Sequence, residues 1–308
     1  MPECNLIIDY CCDLPPELID REGIMLLKFP YIIDGETYED DMFQTLKAKD
    51  FYDGMRRGAQ PSTAQVPIPV FEKIFKEAIE TGKPTVYLSF TSGMSGSFET
   101  AQLVRDKLVA DHPGVELYLV DTLLASIAEG FLVYEAINQW ERGMGAQELA
   151  QWAEEARYFV DCQFMVEDLQ SLHRGGRIPG SVAVVGGALD VKPLLTIDAE
   201  GKLTLTGIAR GRKKGIKQLV DYFEKNFECE NCVTTVIIGN SDCSSDAHRL
   251  KDLLLKVDES ALIIDSTIGP VIGSHVGPGM IAVCFWGKDK RQNLSMAGRI
   301  AKRVKGGK

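Results

Sequence analysis

Residues 85–121 constrain the fold more than any other part of this chain. TVYLSF (residues 85–90) is a short apolar run, and TSGMSGS (91–97) has the small residues of a turn. SFETAQLVRDKLVADH then sets Phe98, Ala101, Val104 and Leu108 on one helical face, and VELYLVD supplies a second apolar run. Strand, helix and strand in this order form a βαβ unit, and strands joined by such a crossover run parallel in a sheet covered on its faces. NLIID (Asn5–Asp9) is a further buried strand that ends in turn residues. PPELIDREG reads as a short helix opened by proline and closed by Gly23. IMLLKFPYIID is an apolar run leading to a turn at Asp34 and Gly35, and FYDGMRRG is a helix stopped at Gly58. After the loop PSTAQVP, VFEKIFKEAIETG places Val70, Ile74, Phe75, Ala78 and Ile79 on one face.

The alternation changes near residue 160. Two helices, IAEGFLVYEAINQW and AQELAQWAEEARYFV, precede that point, and the glycine-richer CQFMVEDLQSLHRGGRIPG follows it. KPLLTID and GKLTLTG read as a hairpin turning at residues 199–201. GRKKGIKQLVDYFEKNF is a helix, TTVIIGN a strand, DAHRLKDLLLKV a helix, and ALIIDSTIG a final strand of parallel type. The pattern predicts a two-domain α/β protein: an N-terminal parallel-sheet βαβ domain over residues 1–160, and a second α/β domain with a mixed sheet over 161–308. A length of 308 residues suits two medium domains.

Charge and cysteine content narrow the function. A net charge of −10 argues against general nucleic-acid binding, which needs basic surface to neutralise phosphates. No apolar run approaches the roughly 18 residues of a membrane span, and MPECNLIIDYCCDLPP lacks the basic start of a signal peptide, so a cytoplasmic location is expected. Eight cysteines in such a chain are too sparse for a disulfide scaffold. Cys229 and Cys232 form the only CxxC, without a second pair at ligand spacing, and no metal or other cofactor is expected. The basic tail beyond Lys288, with Leu294, Ile300 and Val304 at loosely helical spacing, reads as a terminal helix rather than a membrane anchor.

Several small motifs can carry binding or chemistry. The TSGMSGS loop joins a buried strand to a helix, where amides and hydroxyls converge on a helix start that favours an anion, although Ser95 or Ser97 as a simple cap fits the spacing equally well. No Lys or Arg lies between Pro84 and Val104, so a carboxyl suits the loop better than a phosphate. GMSGS also approaches the GxSxG nucleophile elbow, and Ser95, Asp265 and His275 occur in the order of a hydrolase triad. IGPVIGSHVGPGM crowds glycine and proline around His275, which predicts a chain bent tightly about a site residue. In LHRGGRIPG the glycine pair reads as a structural turn in which Arg177 makes internal hydrogen bonds. Arg210, Arg212, Lys213 and Lys214 form the strongest basic cluster, either a solvated helix face or a docking patch for an acidic partner.

Together these motifs resemble the DegV family of bacterial fatty-acid-binding proteins. The resemblance runs in order through IIDYCCDLP, PSTAQVP, TSGMSGSFETA, VDTLLAS, EDLQSLHRGGRI, GALDVKPLL with Gly201 downstream, and IGPVIGSHVGPG. It implies a protein without catalysis of its own that buries a long-chain fatty acid and presents the carboxyl to a separate ATP-dependent fatty acid kinase. It also implies that Thr63, Ser95 and His275 hold the carboxyl, supported by Ser62, Gly96, Ser97 and Ser274. Residues 1–160 would then carry the carboxyl-binding loops, and 161–308 would carry the His275 loop and close the acyl pocket. The kinase is the partner that the basic cluster would meet, and no stable membrane insertion is expected. The chain departs from the family pattern at Tyr10, at Ala64 and Val66 of STAQV, and at Ser97-Phe98 of SGSF. The alternative from a different class is a serine esterase using Ser95 and His275.

Overall fold

In the computed structural model, the described residues are 2–183, 190–228 and 233–293. The chain begins with β1 (Asn5–Asp9), α1 (Pro16–Ile19) and β2 (Ile24–Leu27), followed by β3 (Pro30–Ile33), β4 (Glu36–Glu39), α2 (Ala48–Arg56) and the two-residue β5 (Ser62–Thr63). Next come α3 (Ile68–Glu80), β6 (Thr85–Ser89), α4 (Ser97–Asp111) and β7 (Leu117–Asp121). The strands β2-β1-β6-β7 form a wholly parallel sheet in that order, with every residue of β1 and β6 buried, as expected of strands covered on both faces. α4 buries Ala101, Val104 and Leu108 as its spacing predicted, and α3 turns Phe71 inward beside Ile74, Phe75 and Ala78.

The run IMLLKFPYIID is divided between two sheets. β2 belongs to the parallel sheet, whereas β3 joins a small antiparallel sheet of order β4-β3-β5. Pro30 lies at the break, where it supplies no N–H to continue the first ladder. Asp34 (φ 52°) and Gly35 (φ 86°) make the hairpin turn, whose left-handed backbone glycine adopts without strain.

α5 (Ile127–Glu141) and α6 (Ala146–Ala156) lead to the second large sheet. That sheet is built from β8 (Val160–Met165), β9 (Val191–Ile197), β10 (Leu203–Arg210), β11 (Thr235–Asn240), β12 (Leu262–Thr267) and β13 (Ile281–Trp286), with α7 (Gln170–Arg174), α8 (Gly180–Ala183), α9 (Arg212–Asn226), α10 (Ser244–Val257) and α11 (Pro270–Val276) as its helices. The order is β10-β9-β8-β13-β11-β12, parallel only between β11 and β12. The β9–β10 hairpin forms at the predicted turn. β12 is not the last strand: IAVCFW continues as β13 and is inserted between β8 and β11. α5 packs against strands β8, β11 and β13 of this sheet, and one apolar core joins residues from both halves of the chain.

His275 does not lie in a tight bend. Pro270 occupies the start of α11, where its fixed φ suits a first turn, and Gly277 (φ 73°) ends it, so glycine and proline bound a short helix. The Cys229–Cys232 motif and the tail beyond residue 293 lie outside the described residues. Among the described residues, no helix is long and apolar enough to cross a membrane.

Candidate functional site

A cavity of about 310 Å³ is walled by apolar side chains from both halves of the chain, among them Phe29, Phe90 and Ile127 on one side and Phe164, Leu203 and Ile272 on the other. Its polar atoms come from Thr63, Gln65, Ser95, Ser126, Arg177 and His275. Thr63, on β5, and His275, in the last turn of α11, meet at 2.8 Å between Oγ1 and Nε2. They are 212 residues apart in the chain.

His275 is held on several sides. A Cβ on Gly175 would lie 2.1 Å from His275 Nδ1, so the ring packs on bare backbone just after α7. Nδ1 is buried without a partner among the described residues. Burial, reinforced by the charges of Arg177 and Arg174, pulls the imidazole down to about 3, so it is neutral across the physiological range.

Ser95 and Ser97 share one network. Ser95 donates to Ser97 Oγ at 3.0 Å and accepts from Ser97 N at 3.2 Å, while the Val66 amide donates to Ser97 Oγ at 3.1 Å. Ser97 is buried and ties the PSTAQVP loop to the start of α4, whereas Ser95 faces the cavity. Gly96 lies beside Gln65, whose Oε1 would stand 2.5 Å from a Cβ there. The same turn rests on the β9–β10 hairpin, because Thr91 donates to the Gly201 carbonyl at 3.1 Å and a Cβ on Gly93 would strike that carbonyl.

Two residues named from the sequence lie away from the cavity. Ser62 is exposed, because alternate residues of a strand face opposite ways. Ser274 turns its hydroxyl back on its own helix, donating to the Pro270 carbonyl at 2.7 Å.

Arg177 was legible only as a turn residue. It donates to the Gly175 carbonyl at 2.5 Å, as its motif suggested, but it also lines the cavity close enough to depress His275. Its own pKa is lowered by burial, and among the described residues no carboxylate pairs with it. The cation missing from residues 84–104 is therefore supplied from 73 or more residues downstream, beyond any local window. Ser126 is a second residue the sequence reading missed. It donates to Asp13 Oδ2 at 2.5 Å, and Asp13 Oδ1 accepts from the Gly269 amide at 2.8 Å, so the aspartate of IIDYCCD fastens α5 to the start of α11.

The triad Ser95-Asp265-His275 is not assembled. Asp265 lies on β12, paired with Lys251 at 2.6 Å, and among the described residues no carboxylate meets His275 Nδ1. Ser95 does not have the positive φ of a strained elbow, and its hydroxyl is directed to Ser97. Arg212 is likewise not available for docking. It pairs with Glu167 at 2.8 Å and Asp246 at 2.6 Å and donates to the Gly279 carbonyl, while Arg210, Lys213 and Lys214 remain exposed. Among the described residues, no group of three His, Cys, Asp or Glu could hold a metal ion.

A parallel sheet, a mixed sheet and a largely apolar cavity with one polar cluster define an α/β protein with a cavity between its sheets. The chain belongs to the DegV family: the family model described as "Uncharacterised protein, DegV family" matches residues 3–288. A DegV domain-containing protein of Clostridium perfringens is 34% identical over 290 residues, covering 94% of this chain and 99% of that one. The solved structure of a DegV family protein from Thermus thermophilus, described by its fatty acid binding, aligns with a TM-score of 0.80 at 27% identity, covering 94% of this chain and 100% of that one. A fatty acid binding DegV family protein from Streptococcus agalactiae aligns equally well, with a TM-score of 0.80 at 26% identity over the same shares.

Proposed function

We propose that this protein binds a long-chain fatty acid in the cavity, with the carboxyl held by Thr63, Ser95 and His275, and presents it to a separate ATP-dependent fatty acid kinase. The observation that carries the reading is an apolar cavity ending at the Thr63–His275 pair, with Ser95 on its wall beside Arg177, which pairs with no carboxylate among the described residues. Burying an alkyl chain contributes roughly 0.8 kcal/mol per CH₂, so the head group has only to orient the ligand. A neutral imidazole and two hydroxyls orient a carboxyl without locking it into a buried ion pair. Arg177 adds a positive charge that favours the ionised form. In this reading the protein acts as a carrier and leaves the phosphoryl transfer to its partner.

The fatty-acid binding of the Thermus thermophilus and Streptococcus agalactiae relatives supports the same ligand class. We divide the chain near residue 160 into a half that carries the carboxyl-binding loops and a half that carries α11, and we place the protein in the cytoplasm. Arg210, Lys213 and Lys214, without Arg212, form the docking patch for an acidic face of the kinase.

Protein purified from bacteria should release fatty acid on denaturing extraction, detectable by mass spectrometry. A preparation that is empty and also fails to take up added fatty acid sinks the reading. Reversing the charges of Lys213 and Lys214 should weaken kinase association while lipid uptake is unchanged.

A further inference from the structure

A second cavity, of about 610 Å³, lies along the small sheet and α2. Three side chains stand in register across this sheet: Thr63 opposite Tyr31, and Tyr31 opposite Tyr38. Directly opposed residues share a face, so the row runs from the first cavity, at Thr63, to the second, at Tyr38. Tyr31 and Tyr38 are stacked with centroids 5.5 Å apart, and Phe51 meets Tyr31 edge-on at 6.2 Å. Tyr38 is 46% exposed, an aromatic wall left open to a recess floored by Ile33, Leu46 and Met55.

The rim is acidic. Asp34, Glu39, Asp41 and Asp50 line the cavity against one cation, Lys28, which reaches Glu39 only at 3.9 Å. Asp41 is engaged with the Gln44 and Thr45 amides, whereas Asp34 and Asp50 make no ion pair among the described residues. Tyr31 is only 3% exposed and lines the cavity, yet its hydroxyl has no hydrogen-bond partner among the described residues. That hydroxyl is left to bond with whatever fills the space.

These features select a ligand. A fatty acid or any other anion is repelled by the four carboxylates. A bare metal ion is not favoured, because among the described residues no three acidic, His or Cys groups come close enough together to hold one. A cation whose charge is spread over an organic group satisfies the rim from a distance, rests on the aromatic wall and lays an aliphatic stem on the floor. We propose that this cavity is a second ligand site, for a guanidinium or ammonium group carried on an aliphatic stem, with Tyr31 and Tyr38 as its wall and Asp34 and Asp50 as its charge partners. The assignment does not depend on what the first cavity holds.

The test is calorimetric titration of the full chain with agmatine, compared with Tyr38→Ala and Asp34→Asn/Asp50→Asn, whose changes lie at exposed positions and leave thermal melting as a control on folding. Saturable binding that weakens about tenfold in each variant and with added salt supports the site. Absence of saturable binding at millimolar agmatine, or binding that both variants leave unchanged, overturns it. A short peptide with one central arginine separates the two sources of this chemistry. Tighter binding than agmatine with the same sensitivity to both variants assigns the site to a partner's basic side chain, and weaker binding assigns it to a free amine.

Discussion

At Gly175 the absence of a side chain is what seats His275. The imidazole fills the space that a Cβ would occupy, so Gly175→Ala must push the ring off Thr63. The lost hydrogen bond is worth on the order of 1 kcal/mol. Fatty-acid affinity should accordingly fall about five- to tenfold in a fluorescence displacement assay, and unchanged affinity would show that the histidine does not hold the head group. Two buried residues give opposite pH dependences. His275, brought down to about 3 by burial first and then by Arg177 and Arg174, stays neutral in the folded protein while the unfolded chain takes up a proton below about pH 6.5. Its stabilising contribution is therefore present above that pH and is lost as the pH falls toward 3. Its ring resonances should not move between about pH 5 and pH 8 in an NMR titration.

Asp40 runs the other way. Burial, opposed by the hydrogen bond from the Met42 amide, raises its carboxyl to about 7, and Oδ2 has no hydrogen-bond partner among the described residues. The folded protein keeps this proton while the unfolded chain has lost it above about pH 4, so stability falls as the pH rises from there to about 7. Asp40→Asn should reduce the slope of the melting temperature across that window, leaving the share that buried Asp9, Asp13 and Glu129 contribute in the same direction. A variant with the same slope as the parent would remove Asp40 as its source.

Among the elements, α4 and the PSTAQVP loop depend on one hydroxyl. Ser97→Ala removes the acceptor of the buried Val66 amide, which costs about 2 kcal/mol and leaves the Thr63 loop loosely held. We expect a lower melting temperature together with faster release of bound fatty acid in stopped-flow displacement. A drop in stability with unchanged release would confine Ser97 to folding. α11 shows how an element is misread from composition alone. Its glycines and prolines suggest a bend, but Pro270 and Gly277 fall at the two ends, where they favour a helix, and His275 gains the rigid support a loop would lack.

On the scale of the whole molecule, the cavity is closed by residues from both halves, so ligand and fold are linked. Saturating fatty acid at a hundredfold above its dissociation constant should stabilise the protein by about 2.7 kcal/mol, visible as a higher melting temperature. Leu203, half-buried on the outer strand β10, projects into the cavity, and Leu203→Trp should fill it. Uptake should then be lost while the melting temperature of the empty protein stays close to the parent value. Full uptake by the filled variant would place the acyl chain elsewhere.

The architecture was written locally. Short apolar runs alternating with helical faces were enough for the parallel sheet and the β9–β10 hairpin, because strand and helix periods are properties of neighbouring residues. β13, beyond the run read as the final strand, escaped that reading, and its place in mid-sheet is decided by packing. The site divides along the same line. Thr63, Ser95 and His275 could be named from their motifs, but whether Ser95 caps a helix, attacks an ester or faces a ligand depends on groups brought from elsewhere. Only the folded chain set Thr63 against His275, gave Asp265 to Lys251, tied Arg212 into its own ion pairs and placed Arg177 on the cavity wall. These are long-range contacts, and charge, burial and hydrogen bonding at a site are summed over space rather than along the chain.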